Sequence, residues 1–320
     1  MTKAALKFSI FLPTLKRPDL LQRNLEALEL QTRLPDEVLV SLRADLDPEG
    51  VAVVDSFIAN ETSLNIVKVM LNEPGIVVAE NALLDAATGD VACLVDDDAI
   101  ARPKWLENLS RHYEKDSSIG GVAGPPINIV DGKPEVKRAR YQNRVIFPGL
   151  ILDQSTRHSS QVVPSQHFRG ANMSLLISAL RAQGGFESRL LGDCFRYELD
   201  ACLGVAKQGY KLVFDPEAEV DHYESPRIHN TERFDSVAIH NNAANETFVL
   251  LKHYGLIGRL FHLPFAILIG NFPCPGIFWG IIGGIASLFI KNRFLLGLKA
   301  IFPAIKGRIK GLIMYSSINN

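Results

Sequence analysis

Residues 91–98 read VACLVDDD, an apolar run that ends in three adjacent carboxylates. A short run that is apolar at every position is typical of a strand buried on both faces, such as a central strand of a parallel sheet. Side chains alternate between the two faces of a strand, so we expect Asp96 and Asp98 to share a side and Asp97 to face away. Ligands of open α/β sheets bind at the carboxyl ends of the strands, which makes these aspartates candidate ligand contacts.

The sequence on both sides of this stretch alternates short apolar runs with segments of helical spacing, the pattern of βαβ units. Further strands are predicted at 8–12, 37–42, 65–71, 120–123, 211–215 and 218–222, and helices at 20–31, 78–87, 104–113, 174–183 and 197–208. The intervening residues 132–165 have weak periodicity and are predicted to be irregular. This order predicts an α/β fold whose mostly parallel sheet is flanked by helices.

The three carboxylates also suggest a metal. Adjacent charges after a buried strand are costly unless something neutralises them. Carboxylate oxygens are the ligands that Mg²⁺ and Mn²⁺ prefer, so we predict one of these ions here. The alternative is an acidic turn in solvent, with Asp98 capping the helix that follows.

The C-terminal segment differs in charge from the rest of the chain. No aspartate or glutamate follows Glu246, although the whole chain has a formal net charge of −1. Residues 260–290 also contain no aspartate, glutamate, lysine or arginine, but prolines leave 276–290 as the longest uninterrupted run. At about 1.5 Å per residue, that run is shorter than a hydrocarbon core of about 30 Å.

From residue 294 onward, apolar side chains recur every three or four positions. They are Phe294, Leu298, Ile301, Phe302, Ile305, Ile309, Leu312 and Ile313. Lys299, Lys306 and Lys310 fall mostly on the opposite face. This predicts a basic amphipathic helix that lies in the interface of an anionic membrane. The alternative is a helix that packs on the preceding domain with its lysines in solvent.

The cysteines and the N-terminus indicate the compartment. Cys93, Cys194, Cys202 and Cys274 form neither a CxxC pair nor a zinc-type cluster, as expected of buried thiols in a reducing environment. Residues 1–9 lack the basic-then-apolar pattern of a signal peptide. We therefore expect a peripheral or monotopic protein at the cytoplasmic face of the cell membrane.

Six segments occur in an order that resembles the family 2 glycosyltransferases of the GT-A fold. They are residues 9–32 (SIFLPTLKRPDLLQRNLEALELQT), 37–42 (EVLVSL), 95–99 (VDDDA), 169–175 (RGANMSL), 184–190 (GGFESRL) and 197–222 (YELDACLGVAKQGYKLVFDPEAEVDH). The likeness covers about residues 6–225. It implies a GT-A catalytic domain at 1–245, with a nucleotide-binding half at about 1–115 and an acceptor-side half at about 116–245. The remaining residues, 246–320, are expected to form a helical membrane-associating tail.

The resemblance also implies roles for individual residues. Nucleotide-sugar binding falls to Pro13, Thr14, Arg17, Asn81, Asp96, Asp97, Gly170 and Asn172. Asp98 is the implied metal ligand, with Asp96 beside it. His222 stands where many GT-A enzymes place a further contact to the diphosphate or the metal, although a lone histidine is often structural.

The acidic motif before the last helix departs from the family pattern. Relatives commonly read Glu-Asp-x-Asp before a helix that ends in Gly-Tyr. Counting back from Gly209 aligns Glu198 with the usual base and Asp200 with the last aspartate. A glutamate can do the same chemistry with one more methylene of reach. The alternative is that Glu198 caps the helix while Asp200 pairs with Arg196.

A second departure follows the second strand, where relatives carry an aspartate that grips uracil. This chain has Arg43 and Asp45 instead, which are expected to read the base, and a thymidine- or guanosine-linked donor remains open. The implied reaction is inverting, metal-dependent transfer from a nucleotide-diphosphate sugar to a glycan or lipid-linked acceptor, with no nucleic acid as partner.

Two other functions remain as alternatives. A sugar-1-phosphate nucleotidyltransferase should have glycines in the loop 13–17, which has none. A catalytically inactive GT-A binding module should have lost its carboxylates, which are present. A dehydrogenase is disfavoured because no GxGxxG motif follows a predicted strand.

Overall fold

The computed structural model describes residues 5–135, 143–152, 160–223, 235–271, 274–286 and 294–318. The chain divides into two compact units. The first, which we call the sheet unit, comprises Met1–Asn143, Asp153–Phe186 and Ala201–Ser225. The second, which we call the helical unit, comprises Arg144–Leu152, Glu187–Asp200 and Pro226–Asn320.

The sheet unit is built on a mixed sheet of eight strands. In chain order, the first strands of the whole unit are β1 (Phe8–Pro13), β2 (Glu37–Leu42), β3 (Ile66–Met70), β4 (Val91–Leu94), β5 (Ala99–Ala101), β6 (Ile119–Ala123), β7 (Pro126–Val130) and β8 (Lys133–Pro134). The numbering continues with β9 (Arg144–Ile146) and β10 (Leu150–Leu152), a hairpin of the helical unit. It resumes in the sheet unit with β11 (Val163–Ser165), β12 (Met173–Leu176), β13 (Lys211–Phe214) and β14 (Val220–His222). The main sheet has the order β11-β13-β6-β12-β4-β1-β2-β3, and a smaller one has the order β5-β14-β7-β8.

The parallel core of the main sheet forms as the sequence predicts. β1 pairs in parallel with β2 and β4, and β2 pairs in parallel with β3. The helices of this unit are α1 (Pro18–Glu29), α2 (Pro48–Ala59), α3 (Ile76–Ala86), α4 (Trp105–Lys115) and α5 (Ile177–Ala182). Helix α1 buries Leu21, Leu25 and Leu28, spaced by four and three residues, in the same core as the strand residues. These apolar contacts hold the carboxyl ends of β1, β2 and β4 at one edge of the sheet.

The prediction of one helix over 174–183 is wrong in its first part. Met173–Leu176 is strand β12, which pairs antiparallel with both β4 and β6. Its Ser174 hydroxyl donates to the carbonyl of Val122 at 2.8 Å. Because β12 fills the gap between two buried strands, pairing in the sheet satisfies its backbone and outweighs the local helical spacing.

The helical unit contains the whole of the predicted tail, residues 246–320. Helix α6 (Tyr197–Lys207) begins in this unit and ends in the sheet unit. Then come α7 (Ser236–Ile257), a π-helical turn (Gly258–His262), α8 (Leu263–Leu268), β15 (Gly270–Asn271), β16 (Cys274–Pro275), α9 (Ile277–Ala286) and α10 (Phe294–Ser316). The predicted domain boundary at residue 245 falls inside α7, and that division stays a prediction.

Helix α10 packs closely on α7 through small residues. Ala300 and Ala304 are buried, and a Cβ added to Gly307 or Gly311 would collide with α7 carbonyl oxygens. Three large apolar side chains of α10, Phe302, Ile309 and Ile313, are exposed instead. Within the described ranges, no helix combines the length and the apolar character that crossing a bilayer requires.

Candidate active site

The three aspartates lie on a turn, because strand β4 ends at Leu94. One nitrogen of Arg17, Nη1, donates to Asp97 Oδ1 at 2.7 Å and to Asp98 Oδ2 at 3.1 Å. The prediction that Asp97 faces away from Asp98 is therefore wrong. The alternation of side chains applies only within a strand, and here the strand ends before the carboxylates begin.

The loop after β1 supplies the partners of these carboxylates. The Thr14 hydroxyl donates to Asp97 Oδ2 at 2.9 Å, and Arg17 follows it from the residue before α1, while Pro13 ends β1. Burial raises the pKa of the Asp97 carboxyl, although Arg17 and Thr14 act in the opposite direction. The loop thus brings a hydroxyl and a guanidinium to the edge of the sheet, where both can contact an anionic ligand.

His222 and Asp98 come together at the end of β14. The Nε2 atom of His222 lies 3.4 Å from Asp98 Oδ1, and Nδ1 lies 3.2 Å from Asn128 Oδ1. The backbone N–H of Tyr223 donates to the Asp98 carbonyl at 2.8 Å. Burial lowers the pKa of His222, but the hydrogen bond and charge of Asp98 outweigh it and leave the pKa raised. An imidazole beside a carboxylate can hold either a proton or a metal ion.

The side chains of Asp98 and His222 are placed so that both could coordinate one divalent ion. Two donors that bind one ion at right angles, each at about 2.1 Å, lie about 3 Å apart, close to the separation of Asp98 and His222. Among the described residues, no cluster of three or more His, Cys, Asp or Glu side chains is arranged to hold a metal. Phosphate oxygens and water would have to complete the coordination, as they commonly do for Mg²⁺. The backbone carbonyl of Asp96 accepts from Asn24 at 3.0 Å, and a metal contact of the Asp96 carboxylate stays a prediction.

Two predicted ligand contacts are hydrogen-bonded to the protein. Asn172, in the short 3₁₀ turn Gly170–Asn172, accepts from Trp105 Nε1 and donates to the Ala218 carbonyl, both at 2.8 Å. The Asn81 amide donates to the carbonyl of Phe186 at 2.9 Å and accepts from its N–H at 2.8 Å. Both amides hold a loop in place, and their contact with a nucleotide sugar stays a prediction.

Arg43 and Asp45 form a two-pronged pair after β2. Arg43 Nε and Nη2 donate to the two oxygens of Asp45 at 2.8 and 2.7 Å. The hydrogen bond from Arg43 is the main reason why the pKa of the Asp45 carboxyl is lowered. Arg43 Nη1 is buried and has no hydrogen-bond partner among the residues that the structure describes, and a contact of this pair with a base stays a prediction.

The helical unit contains both candidate bases in the first turn of α6. Asp200 is 1% exposed, and its oxygens lie 2.9 Å from Lys252 Nζ and 2.8 Å from His253 Nε2. Glu198 is only partly buried. Arg196 pairs with Glu246 instead of Asp200, so the alternative pairing considered from the sequence is wrong. Asp200 is thus committed to two neighbours, whereas Glu198 has the exposure that a base needs.

Sequence reasoning missed the residues that surround Asp200. Lys252 also donates to Glu187 at 3.0 Å. Burial raises the pKa of Glu187, but Arg189 and Lys252 outweigh it and bring the pKa to about 2. Glu187 belongs to the GGFESRL segment, yet only the fold shows that a helix far along the chain supplies its partner.

Comparison with known proteins now identifies the chain. The profile described as "Glycosyl transferase family 2" matches residues 9–178, more than half of the sequence. The chain is a family 2 glycosyltransferase.

Two curated relatives of this glycosyltransferase are similar over part of their length. It is 28% identical over 151 residues to the pre-mycofactocin glycosyltransferase of Mycobacterium tuberculosis, covering 46% of this chain and 30% of that protein. It is 27% identical over 144 residues to the glucosyl-dolichyl phosphate glucuronosyltransferase of Haloferax volcanii, covering 43% and 44%. The glycosyltransferase thus spans less than half the length of the curated relatives that it matches.

Solved structures confirm the predicted GT-A fold of the glycosyltransferase. The mannosyltransferase PcManGT of Pyrobaculum calidifontis, in complex with GDP-Man and Mn²⁺, superposes with a TM-score of 0.56 at 16% identity, covering 97% of this chain and 88% of that one. GalNAc-T7 with UDP, GalNAc and Mn²⁺ superposes with a TM-score of 0.57 at 14% identity, covering 80% and 49%. At these identities the likeness concerns the fold.

Proposed function

We propose that this glycosyltransferase moves a sugar from a nucleotide-diphosphate donor to an acceptor hydroxyl, with Mg²⁺ or Mn²⁺ held by Asp98 and His222. The observation that carries the proposal is the Asp98–His222 pair at the carboxyl end of β4. Nucleotide sugars or nucleotides with Mn²⁺ in two structures of the same fold support it.

The leaving diphosphate needs positive charge around it. A bound divalent ion would offset that charge, and the donor's own oxygens would complete its coordination. Arg17 adds a permanent cation, since its neighbouring aspartates raise the pKa of the guanidinium despite burial. Stabilisation of the leaving group by such fixed charges is commonly the largest electrostatic contribution to catalysis.

Other residues would orient the donor and the acceptor. The unpaired Nη1 of Arg43 supports a role in reading an acceptor atom of the base, with Asp45 holding the guanidinium in place. Glu198 is the proposed base, because its side chain is partly exposed whereas Asp200 is 1% exposed. A base that takes the acceptor proton during one direct displacement gives inversion at the anomeric carbon.

The helical unit has an apolar surface that suits a lipid interface. Phe147, at the tip of the β9–β10 hairpin, is 67% exposed, and its ring centroid lies 5.0 Å from that of Phe261. In the same π-helical turn, Arg259 stacks on the ring of Tyr315 from α10, 4.8 Å from its centroid. These contacts connect the hairpin, the turn and α10 in one continuous surface.

The outer face of α10 adds apolar and basic side chains to this surface. Phe302, Ile309 and Ile313 are each more than half exposed. The Lys306 ammonium lies 4.5 Å from the centroid of the Phe302 ring, as expected where an apolar stripe borders on cations. We propose that this surface rests in the cytoplasmic leaflet and brings the enzyme to a lipid-linked acceptor, which the name of the Haloferax volcanii relative also supports.

A panel of nucleotide sugars tests the proposed reaction. The purified protein is incubated with UDP-, GDP- and dTDP-sugars in Mn²⁺, Mg²⁺ or EDTA, and nucleotide products are separated by chromatography. We expect nucleoside diphosphate from at least one donor, only with metal. Consumption of a nucleoside triphosphate and a sugar 1-phosphate would favour a nucleotidyltransferase, whereas binding without turnover would favour an inactive module.

A further inference from the structure

Glu246 lies at the centre of a buried group of charges that connects the C-terminal helix to the start of α6. We infer that Glu246 and Arg308 are positioning residues, which fix the first turn of α6 and with it Glu198. The inference rests on the proposed role of Glu198 as the base. It makes the tail part of the catalytic structure as well as a candidate membrane contact.

Arg308 is a buried cation in a helix whose other basic side chains are exposed. It is 1% exposed, and its Nη1 donates to Glu246 Oε1 at 3.0 Å and to Thr247 Oγ1 at 3.1 Å. Its Nη2 donates to the Cys274 carbonyl at 2.9 Å. Removing a charge from water is costly unless fixed partners compensate for the lost hydration. The partners of Arg308 lie on α7 and β16.

Glu246 receives hydrogen bonds from three directions. Its Oε1 accepts from Arg308 and from Asn271 Nδ2 at 2.9 Å, and its Oε2 accepts from Arg196 Nη2 at 3.0 Å. Burial raises the pKa of this carboxyl, but the two arginines outweigh it and bring the pKa to about 2. Glu246 is therefore ionised and holds both guanidinium groups in fixed positions.

Arg196 transmits this arrangement to α6. Its backbone has φ 78, and Cys194, two residues earlier, has φ 53, conformations that residues other than glycine rarely adopt. The Arg196 carbonyl accepts from the Asp200 N–H at 3.0 Å and so begins the helix. The ion pair with Glu246 holds a strained backbone that sets where α6 starts and how its first turn is oriented.

A second contact holds the other side of that turn. Lys252 and His253 bind the Asp200 carboxylate, and His253 follows Glu246 by seven residues on α7, or about 10 Å along the helix. Glu198 lies in the sequence between Arg196 and Asp200. Its backbone is thus fixed on both sides by side chains of α7, and Arg308 supports the first of these contacts.

Arg308→Met tests the inference, with Arg308→Lys as the conservative change and Lys104→Met as the control for loss of an exposed cation. In Arg308→Met, Glu246 keeps Arg196 as its counter-ion, so a balanced pair remains. All variants are assayed in the same detergent with the donor that the wild-type protein turns over. We measure kcat, the donor KM and the melting temperature.

We expect Arg308→Met to lower kcat about 10²-fold, the effect of displacing a catalytic group by about 1 Å, with an unchanged donor KM. Arg308→Lys should retain part of kcat, and Lys104→Met all of it. Wild-type kcat in Arg308→Met would overturn the inference. A loss of kcat no larger than the fraction of the variant that is unfolded at the assay temperature would overturn it as well. If Arg308→Met fails to fold, Arg308→Lys decides: wild-type kcat overturns the inference, and reduced kcat at unchanged KM supports it. Absence of turnover by the wild-type protein would instead count against the proposed function.

Discussion

His222 Nε2 lies 3.4 Å from Asp98 Oδ1 because the register of two short strands brings the residues together. Strand β14 pairs antiparallel with β5, and His222 stands opposite Ala99, the residue that follows Asp98. The sheet thus fixes the distance between an imidazole and a carboxylate from distant parts of the chain.

Metal binding should depend on this pair. Asp98→Asn removes a charged oxygen ligand and should lower turnover roughly 10³-fold, since a metal supplies several kcal/mol of charge stabilisation. His222→Asn should also weaken Mn²⁺ binding, but it should lower turnover less than Asp98→Asn does. Mn²⁺ is titrated by the electron paramagnetic resonance signal of the free ion, with Asp85→Asn on the exposed side of α3 as control. Unchanged Mn²⁺ affinity in Asp98→Asn would refute the site.

Glu198 and Asp200 should respond differently to loss of charge. Glu198→Gln should lower transfer roughly 10²–10⁴-fold, the usual contribution of a positioned base, with an unchanged melting temperature. Asp200→Asn removes the buried carboxylate that Lys252 and His253 share, leaves Lys252 with Glu187 alone, and should reduce the free energy of unfolding by about 3 kcal/mol. If Asp200→Asn lost turnover and stayed fully stable while Glu198→Gln remained active, Asp200 would be the base.

Membrane binding should require the exposed apolar side chains of the helical unit. Phe147→Ser and Ile309→Ser should each weaken sedimentation with anionic vesicles about tenfold or more, since burying a large apolar side chain contributes roughly 1.5–3 kcal/mol. High salt should weaken binding without abolishing it, because only the contribution of the basic residues is screened. Leu30→Ser is the control, since Leu30 is 72% exposed in the sheet unit. An equal loss of vesicle binding in all three variants would contradict binding through the exposed apolar surface of the helical unit.

Acid should destabilise the helical unit in two steps. Burial lowers the pKa of His262 to about 4, so the unfolded chain binds more protons than the folded one between pH 6.5 and 4. Stability should fall there by up to about 3 kcal/mol as the pH falls. Glu246, with its pKa lowered to about 2, should add a loss between pH 4.5 and 2. The free energy of unfolding of His262→Gln, measured with urea at a series of pH values, should not fall between pH 6.5 and 4. The same fall as in the wild-type protein would contradict the assignment to His262.

The sequence predicts best where the local pattern and the fold agree. Residues 37–42 form β2 as expected, because the run is apolar except at Glu37 and Ser41 and pairs in parallel with a strand on each side. The family motifs also bring Asp98 and His222 to one place. The orientation of Asp97 could not be predicted, because it depends on where β4 ends.

Contacts between residues far apart in the sequence limit what can be predicted about the helical unit. Nothing local distinguishes Arg308 from the exposed lysines of α10, since its burial depends on the close approach of α7 over Gly307. Glu246 is likewise notable in the sequence only as the last acidic residue. The contact of α10 with α7 is made by small residues such as Ala304 and Gly307, while Phe302, Ile309 and Ile313 are exposed.

The configuration of the sugar that is first released from the donor distinguishes an inverting from a retaining enzyme. Proton NMR can follow the anomeric signal as the enzyme hydrolyses an α-linked nucleotide sugar in the presence of Mg²⁺. We expect the β-anomer to appear first, because the proposed base Glu198 would activate water for one direct displacement. Initial appearance of the α-anomer would mean retention and would contradict Glu198 as the base of an inverting transferase.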